Sequence, residues 1–369
     1  MQIRWTGPID PNSPTLGLPK LDGVRTTLLY RATPETGTYS HHGYITSHNG
    51  VLVAAWSNHA ADEDAPGQRV LFSRSTDCGG TWERWNELFP PHDEMKPAEQ
   101  QDWNADRVLI ANGFAEVDGK LYAIAEAHVL DERRGLGRLA RSIEPDGSLG
   151  EIFWLIDGPP EPVAGFPRYP AASESAAPAT AARINDCLAR PENLPSWEFL
   201  GGTCSPIADD GHKMCEPTQS WRLFDGRYVR LYRDLGTPGA QKPDRSGRNY
   251  AQFSFDNAET WTQPTRTDFP DACSRSAAGT LPDGTVYIIN NPGNSRDPLV
   301  ISLSADGLNF DRHAVIASGA APRRYEGRWK DRGFAYPRAA VQGGTLFVIY
   351  SICKEDVAVA AVPISALRG

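Results

Sequence analysis

Two phrases near the start of the chain gather the residue types that move protons. Tyr39-Ser-His41-His42-Gly-Tyr44 is followed, one strand later, by Trp56-Ser-Asn58-His59 and then by Glu63-Asp64-Ala-Pro-Gly67-Gln68-Arg69. Three of only eight histidines therefore flank one hairpin. Histidine is the side chain whose ordinary pKa suits proton transfer near neutral pH. For each of them a hydrogen-bonded loop or core role is the structural alternative. Arginines suited to bidentate carboxylate binding recur downstream. Arg233 ends a strand in a Tyr-Arg-Asp phrase, Arg275 stands between Ser274 and Ser276, and Arg324 opens Arg-Tyr-Glu-Gly-Arg. A surface pairing with Asp or Glu is the alternative for these. One further group has metal-binding character: Cys204, His212 and Cys215, with Cys187 upstream, offer ligands for a structural zinc. Their spacing is not a Cys-x-x-Cys pair, and chance clustering in a long loop is the favoured reading over a metal.

The elements that must position these residues are strands. The phrase Ser75-Thr-Asp77-Cys-Gly-Gly-Thr-Trp82 recurs as Ser254-Phe-Asp256-Asn-Ala-Glu-Thr260-Trp261, and more loosely as Ser302-Leu-Ser304-Ala-Asp306-Gly307-Leu-Asn-Phe310. Asp and Gly turn the chain between two outer strands, the carboxylate accepts turn N–H groups, and the tryptophan is expected to pack between neighbouring sheets. Asp77, Asp256 and Trp261 are therefore fold residues. A second phrase, a glycine turn followed by an alternating strand, occurs at Gly50, Gly119, Gly226, Gly284 and Gly343-Gly344. These patterns resemble the Asp-box hairpins of the sialidase-like propellers.

That resemblance implies an all-β chain folded as a single β-propeller domain over residues 1–369, seven-bladed, with six blades as the alternative. The long interval between Gly119 and Gly226 is expected to hold one degenerate blade, and the run Val24 to Tyr30 to complete the last blade and close the ring. An insertion is expected at about 159–195, with a short helix over Ala176 to Ala189. Loops are expected at Pro90 to Pro97 and Leu235 to Gly247.

A net charge of −9 argues against a nucleic-acid partner, and without a long uncharged apolar run there is no membrane partner to expect. The start Met-Gln-Ile-Arg-Trp does not read as a signal peptide. A cytoplasmic location is the default expectation, and a secreted or periplasmic one if a leader has been removed. The six cysteines are scattered and read mostly as buried thiols.

True sialidases combine an arginine triad, a Tyr–Glu nucleophile pair and an acidic proton donor with an early Arg-Ile-Pro phrase. Here Tyr30-Arg31-Ala-Thr stands for that phrase, and His41 and His42 stand where an Asp is expected. The His-rich phrase, Trp-Ser-Asn-His and Glu-Asp-x-Pro-Gly-Gln are more similar to the propeller polysaccharide lyases, the ulvan lyases and the rhamnose-glucuronate lyases once described as rhamnosidases. The resemblance implies a catalytic set of His42, His59, Tyr122 and Arg138. Tyr122 also suits a core tyrosine, since it lies mid-strand. In such a lyase Arg138 pairs with a uronate carboxylate, the histidines act as base and acid at C5 and O4, and Tyr122 assists. His41, Arg233, Arg275, Arg324 and Tyr336 are the expected substrate ligands, with Tyr336 stacking on a sugar. Trp103, Trp221 and Trp329 are weaker candidates for that platform. The expected reaction is β-elimination on an acidic oligosaccharide or polysaccharide, with no cofactor required beyond the possible zinc. A glycoside hydrolase (exo-rhamnosidase or atypical sialidase) and a non-catalytic glycan-binding propeller are the alternatives on the same fold.

Overall fold

A computed structural model of the chain describes residues 2–91, 107–129, 135–156, 169–174, 178–193 and 205–368. Five antiparallel sheets form among them, each fed by one glycine-turn phrase between its first and second strands. Blade I comprises Tyr39–His48, Val51–His59, Arg69–Ser75 and Asn86–Phe89. Blade II comprises Arg107–Val117, Lys120–Val129, Gly135–Ile143 and Phe153–Trp154. In blade III, Met214–Cys215 and Trp221–Arg222 both pair with Tyr228–Asp234, followed by Arg248–Ser254 and Thr265–Pro270. Blade IV comprises Ala277–Thr280, Val286–Asn290, Leu299–Ser304 and Arg312–Ala317. Blade V takes Phe334–Gln342, Thr345–Ile352 and Asp356–Pro363 from the end of the chain and its outermost strand, Arg25–Tyr30, from the beginning. The ring is closed by this pairing as expected, which leaves no free edge where the two ends meet.

The count of seven or six blades is corrected to five among the described residues. The interval after Gly119 instead contains the helix Pro178–Leu188, whose Ala181, Ile184, Cys187 and Leu188 pack on Ala115, Val117, Ile124 and Ala140 of blade II. Its alanine-rich sequence lacks the alternation a strand needs and favours a helix once one apolar stripe finds a sheet to cover. No helix among the described residues is long and apolar enough to cross a membrane.

The Asp boxes are turns, as their residues demand. Ser75 Oγ donates to Asp77 Oδ1 at 2.8 Å, and Asp77 accepts the Thr81 backbone N–H at 2.8 Å. Ser254 with Asp256 repeats this at 2.8 Å, and in the loosest copy Ser304, rather than Ser302, bonds Asp306 at 2.9 Å. These hydrogen bonds hold the Asp77 carboxyl down at about 2. Trp82 packs into the cluster shared by blades I and V, as expected, whereas Trp261 lies under the Arg230 guanidinium of its own blade, 3.8 Å from Cζ to the ring centre.

Two boxes also seat a glycine on the next blade. Gly79 has φ +76°, and a Cβ there would lie 2.5 Å from the Phe347 ring of blade V; a Cβ on Gly307 (φ +73°) would lie 2.8 Å from Leu223 of blade III. Gly79→Ala is accordingly expected to destabilise the fold by about 1–3 kcal/mol, through strain at positive φ and overpacking at the I–V seam. Denaturant unfolding measures it, and an unchanged midpoint would show that the seam relaxes freely.

Candidate active site

The inner strands do not run straight to the channel mouth. Strand pairing slips between His41 and Tyr44 in blade I, between Ala111 and Gly113 in blade II and between Ala335 and Arg338 in blade V. At two of these breaks His42 and Tyr336, and just after Met214–Cys215 in blade III Glu216, adopt left-handed backbone, with φ of 51°, 54° and 50°. Non-glycine residues take this conformation at a cost of about 1–3 kcal/mol, which is tolerated where a side chain must be re-aimed. The inner strand of blade I packs between those of blades II and V, so these irregular ends face one axis.

Tyr336 is the centre of the resulting cluster. Its hydroxyl donates to Glu216 Oε2 at 3.2 Å and accepts from Arg233 Nη1 at 2.9 Å, while Arg233 Nε lies 2.7 Å from the same Glu216 oxygen. The guanidiniums of Arg233, Arg275 and Arg296 all stand 5.6–5.7 Å from the Tyr336 ring centre. His41 and His42 close the other side, with ring centres 4.0 and 5.5 Å from that of Tyr336. Glu63, brought in by the loop after Val51–His59, places Oε1 at 4.0 Å from His41 Nε2 and 3.7 Å from His42 Nε2, and its Oε2 meets Lys354 Nζ.

The electrostatics divide these groups into roles. Burial alone would raise the Glu216 carboxyl, but Arg233 and Arg275 outweigh it and hold it at about 2, a permanent anion. Burial pushes the Tyr336 phenol far above its ordinary value, Arg233 opposing, so it is a neutral donor until its proton is taken. Burial holds His42 down at about 3 and His41 well below its usual range, so both imidazoles are neutral. Glu63 is raised by burial against the pull of Lys354. Among the described residues Arg275 Nε and Arg296 Nη1 are buried without a hydrogen-bond partner, as are His41 Nε2 and His42 Nδ1. Buried polar atoms without a partner are costly to leave so.

Of the expected site residues, His41, His42, Arg233, Arg275 and Tyr336 come together here. His59 does not join as an acid or base. Its Nε2 bonds Pro66 O at 2.9 Å and its Nδ1 receives the Ala61 and Asp62 N–H groups at 3.2 and 3.1 Å, so it braces the loop that carries Glu63. Tyr122 lies on the second strand of blade II opposite Ala115, against Phe153, about 10 Å along the ladder from the level of Ala111, which is bonded to Ser57 beside the site. Arg138 is at the right height, opposite Glu126, but on the third strand, about 10 Å out from the inner one. Arg324 clamps Glu355 (3.3 Å) and Asp356 instead. The Cys/His group does not converge. Cys187 packs in the helix cluster, His212 is held by Asp234 at 3.0 Å, Cys215 is pushed up to about 11 by burial, and Cys204 lies outside the described residues. Trp221 is core, Trp103 lies outside the described residues, and Trp329 is 57% exposed on a loop whose Arg328 N–H bonds Asp62, next to Glu63.

Glu216, Arg296 and Lys354 escape a motif reading, and Glu63 was quoted only as part of a phrase. Glu216 stands in Cys-Glu-Pro and Arg296 in Asn-Ser-Arg-Asp-Pro, neither of which repeats. The signal open to sequence was the need for a glutamate to accompany Tyr336 once a Tyr–Glu pair is sought.

Known proteins place this arrangement in a fold class. A family model for the BNR repeat-like domain matches residues 190–349. No curated protein matches the chain. Among solved structures, one described as a sialidase shares 23% identity over 99% of this chain and 35% of its own, with a TM-score of 0.78. Trypanosoma rangeli sialidase in complex with sialic acid shares 13% identity over 95% of this chain and 60% of its own, TM-score 0.54. Leech intramolecular trans-sialidase with 2,7-anhydro-Neu5Ac shares 10% over 93% and 71%, TM-score 0.54. This chain thus spans about a third of the first and three fifths of the second. The fold is that of the sialidase-like β-propellers.

Because His59 bonds three backbone groups, His59→Ala is expected to lower stability by about 1–3 kcal/mol and to open residues 60–67 to proteolysis. Thermal unfolding with limited proteolysis checks this. A variant as stable and protease-resistant as the wild type, yet inactive, would restore His59 to the chemistry.

Proposed function

We propose that this chain is a glycoside hydrolase acting on glycosides of a carboxylated sugar, with Tyr336 as nucleophile. The observation that carries the reading is the Tyr336–Glu216 hydrogen bond inside a ring of arginines. A carboxylate nucleophile would repel an anionic sugar, whereas a neutral phenol that loses its proton to Glu216 as it attacks does not. Tyrosine nucleophiles of this kind are the sialidase variation on retaining glycosidases, and the fold shared with sialidases supports the reading. Arg296, 5.7 Å from the Tyr336 ring centre, is suited to the sugar carboxylate. Arg233 is committed to the Tyr–Glu pair. Because these cations surround the nucleophile's own ring, the carboxylate must lie beside the reacting carbon, which favours a 2-keto acid sugar over a uronic acid.

Glu63 is the proton donor to the departing oxygen, then the base for water. It must be protonated for the first step, so turnover of substrates with poor leaving groups falls as pH rises through its raised pKa. His42 and Glu216 each keep one charge state near neutrality and add no limb there.

Elimination on a uronate, such as a rhamnose-glucuronate linkage, is the second reading. It is favoured by one observation: the neutral His42 imidazole faces the same arginine cluster, where it would take the C5 proton. Incubation with acidic ketosides and with rhamnose-glucuronate oligosaccharides separates the two, since only elimination yields an ultraviolet-absorbing unsaturated uronate.

Under the hydrolase reading Tyr336→Phe abolishes turnover. Glu63→Gln lowers it about 10²–10⁴-fold on sugar leaving groups, spares aryl glycosides with activated leaving groups, and removes the alkaline limb. Steady-state kinetics of both variants across pH test this. Full activity in Tyr336→Phe, or absorbance in place of reducing sugar, would refute it.

A further inference from the structure

Beside the Tyr336 cluster, the propeller axis holds positive charge that no carboxylate among the described residues meets in a direct ion pair. Arg233 is met by Glu216 and Lys354 by Glu63. Arg275 and Arg338 have no carboxylate within ion-pair distance among the described residues, although they are only 4% and 2% exposed. Both guanidiniums lie against Tyr44 of blade I: Arg275 Nη1 is 3.5 Å from its hydroxyl and Arg338 Cζ is 5.5 Å from its ring centre. Arg338 Nη1 is bonded to Pro337 O at 2.7 Å and Ser276 O at 3.3 Å. Arg338 Nε and Nη2, Arg275 Nε and Ser276 Oγ have no partner among the described residues.

All the free guanidinium atoms are donors, and Ser276 and Tyr44 add hydroxyls that can donate. Burial, and next the charge of Arg275, draw Arg338 down to about 10, so both groups are cationic at neutral pH. Two buried like charges with unmade hydrogen bonds are costly unless a counter-ion is present. Water would satisfy hydrogen bonds but not charge. A substrate carboxylate arrives attached to a sugar ring, and these atoms are closed to one, since each is shut off from solvent.

We propose that a small monovalent inorganic anion, of chloride size, binds in the propeller axis between Arg275 of blade IV and Arg338 of blade V beside Tyr44 of blade I. The ion joins three inner strands from the inside, so it stabilises the ring beside the Tyr336 cluster. The inference does not depend on which reaction the site above performs.

The test is thermal unfolding in sodium gluconate with stepwise replacement by sodium chloride or bromide at constant ionic strength, together with crystals grown in bromide. The expected result is a saturable rise in Tm of about 2 °C or more with halide, absent in Arg338→Met, and an anomalous bromide peak between Arg275 and Arg338. Equal Tm in gluconate and halide, a full halide response in Arg338→Met, or bromide found only elsewhere would overturn the proposal. A peak over Tyr336 alone would assign the anion to the carboxylate site instead. Should Arg338→Met fail to fold, the position of bromide in the wild type decides.

Discussion

The placement of the Tyr336 hydroxyl depends on the buried ion pair beneath it. Glu216 is 6% exposed, and taking a carboxylate that far from water is prohibitive unless charge and hydrogen bonds compensate. Arg233 does both: one of its nitrogens faces Glu216 and another donates to the Tyr336 oxygen. The arrangement fixes the direction of proton flow, since Glu216 can only accept and Arg233 can only donate, leaving the phenol as the group that changes state. On the proposed reading, losing Glu216 would leave the phenol without the base that takes its proton.

The backbone is shaped to permit that pair. Tyr336 and Glu216 come from blades V and III, 120 residues apart in sequence, and each reaches the axis from a left-handed residue at the end of an inner strand. A regular strand would turn alternate side chains toward the neighbouring blades. Breaking register frees one residue per strand to aim along the channel mouth, and the rest of the blade holds the break in place. In blade I this support is visible in detail. Asn58 donates to Tyr39 O, Ser40 Oγ and the Tyr30 hydroxyl, and Gln68 Nε2 donates to Leu109 O at 2.7 Å, tying the Glu63 loop to blade II.

Much of the fold was legible because it repeats. Five glycine-turn phrases correspond to five blades, three boxes to three outer turns, and the run near Tyr30 to ring closure. The extra blade came from reading the long interval between Gly119 and Gly226 as a blade, and length says nothing about whether a segment alternates. The site was legible only in part. His41, His42, Arg233, Arg275 and Tyr336 stand next to inner strands, so residue type and position together found them. Tyr122 and Arg138 matched a spacing along the chain, but spacing does not specify the strand or the height within a blade. Those two variables separate Tyr122 from the channel by several rungs and Arg138 by two strands. Glu216 was invisible because its meaning depends on a partner in another blade.

The phrases that suggested a lyase have a structural explanation independent of the reaction. Trp56 is core, Ser57 Oγ accepts the Ala111 N–H of blade II, Asn58 ties strand ends together, and His59 and Gln68 shape one loop. Trp-Ser-Asn-His and Glu-Asp-x-Pro-Gly-Gln are thus the scaffold that presents Glu63 to the axis. A scaffold of this kind serves elimination and hydrolysis equally, because both need a carboxyl or imidazole held beside an anionic sugar. What separates them is the group that shares the cluster with Glu63. Here it is a phenol from the neighbouring blade V, backed by a carboxylate from blade III and flanked by cations. On the proposed reading, that partner favours bond formation at carbon over proton removal.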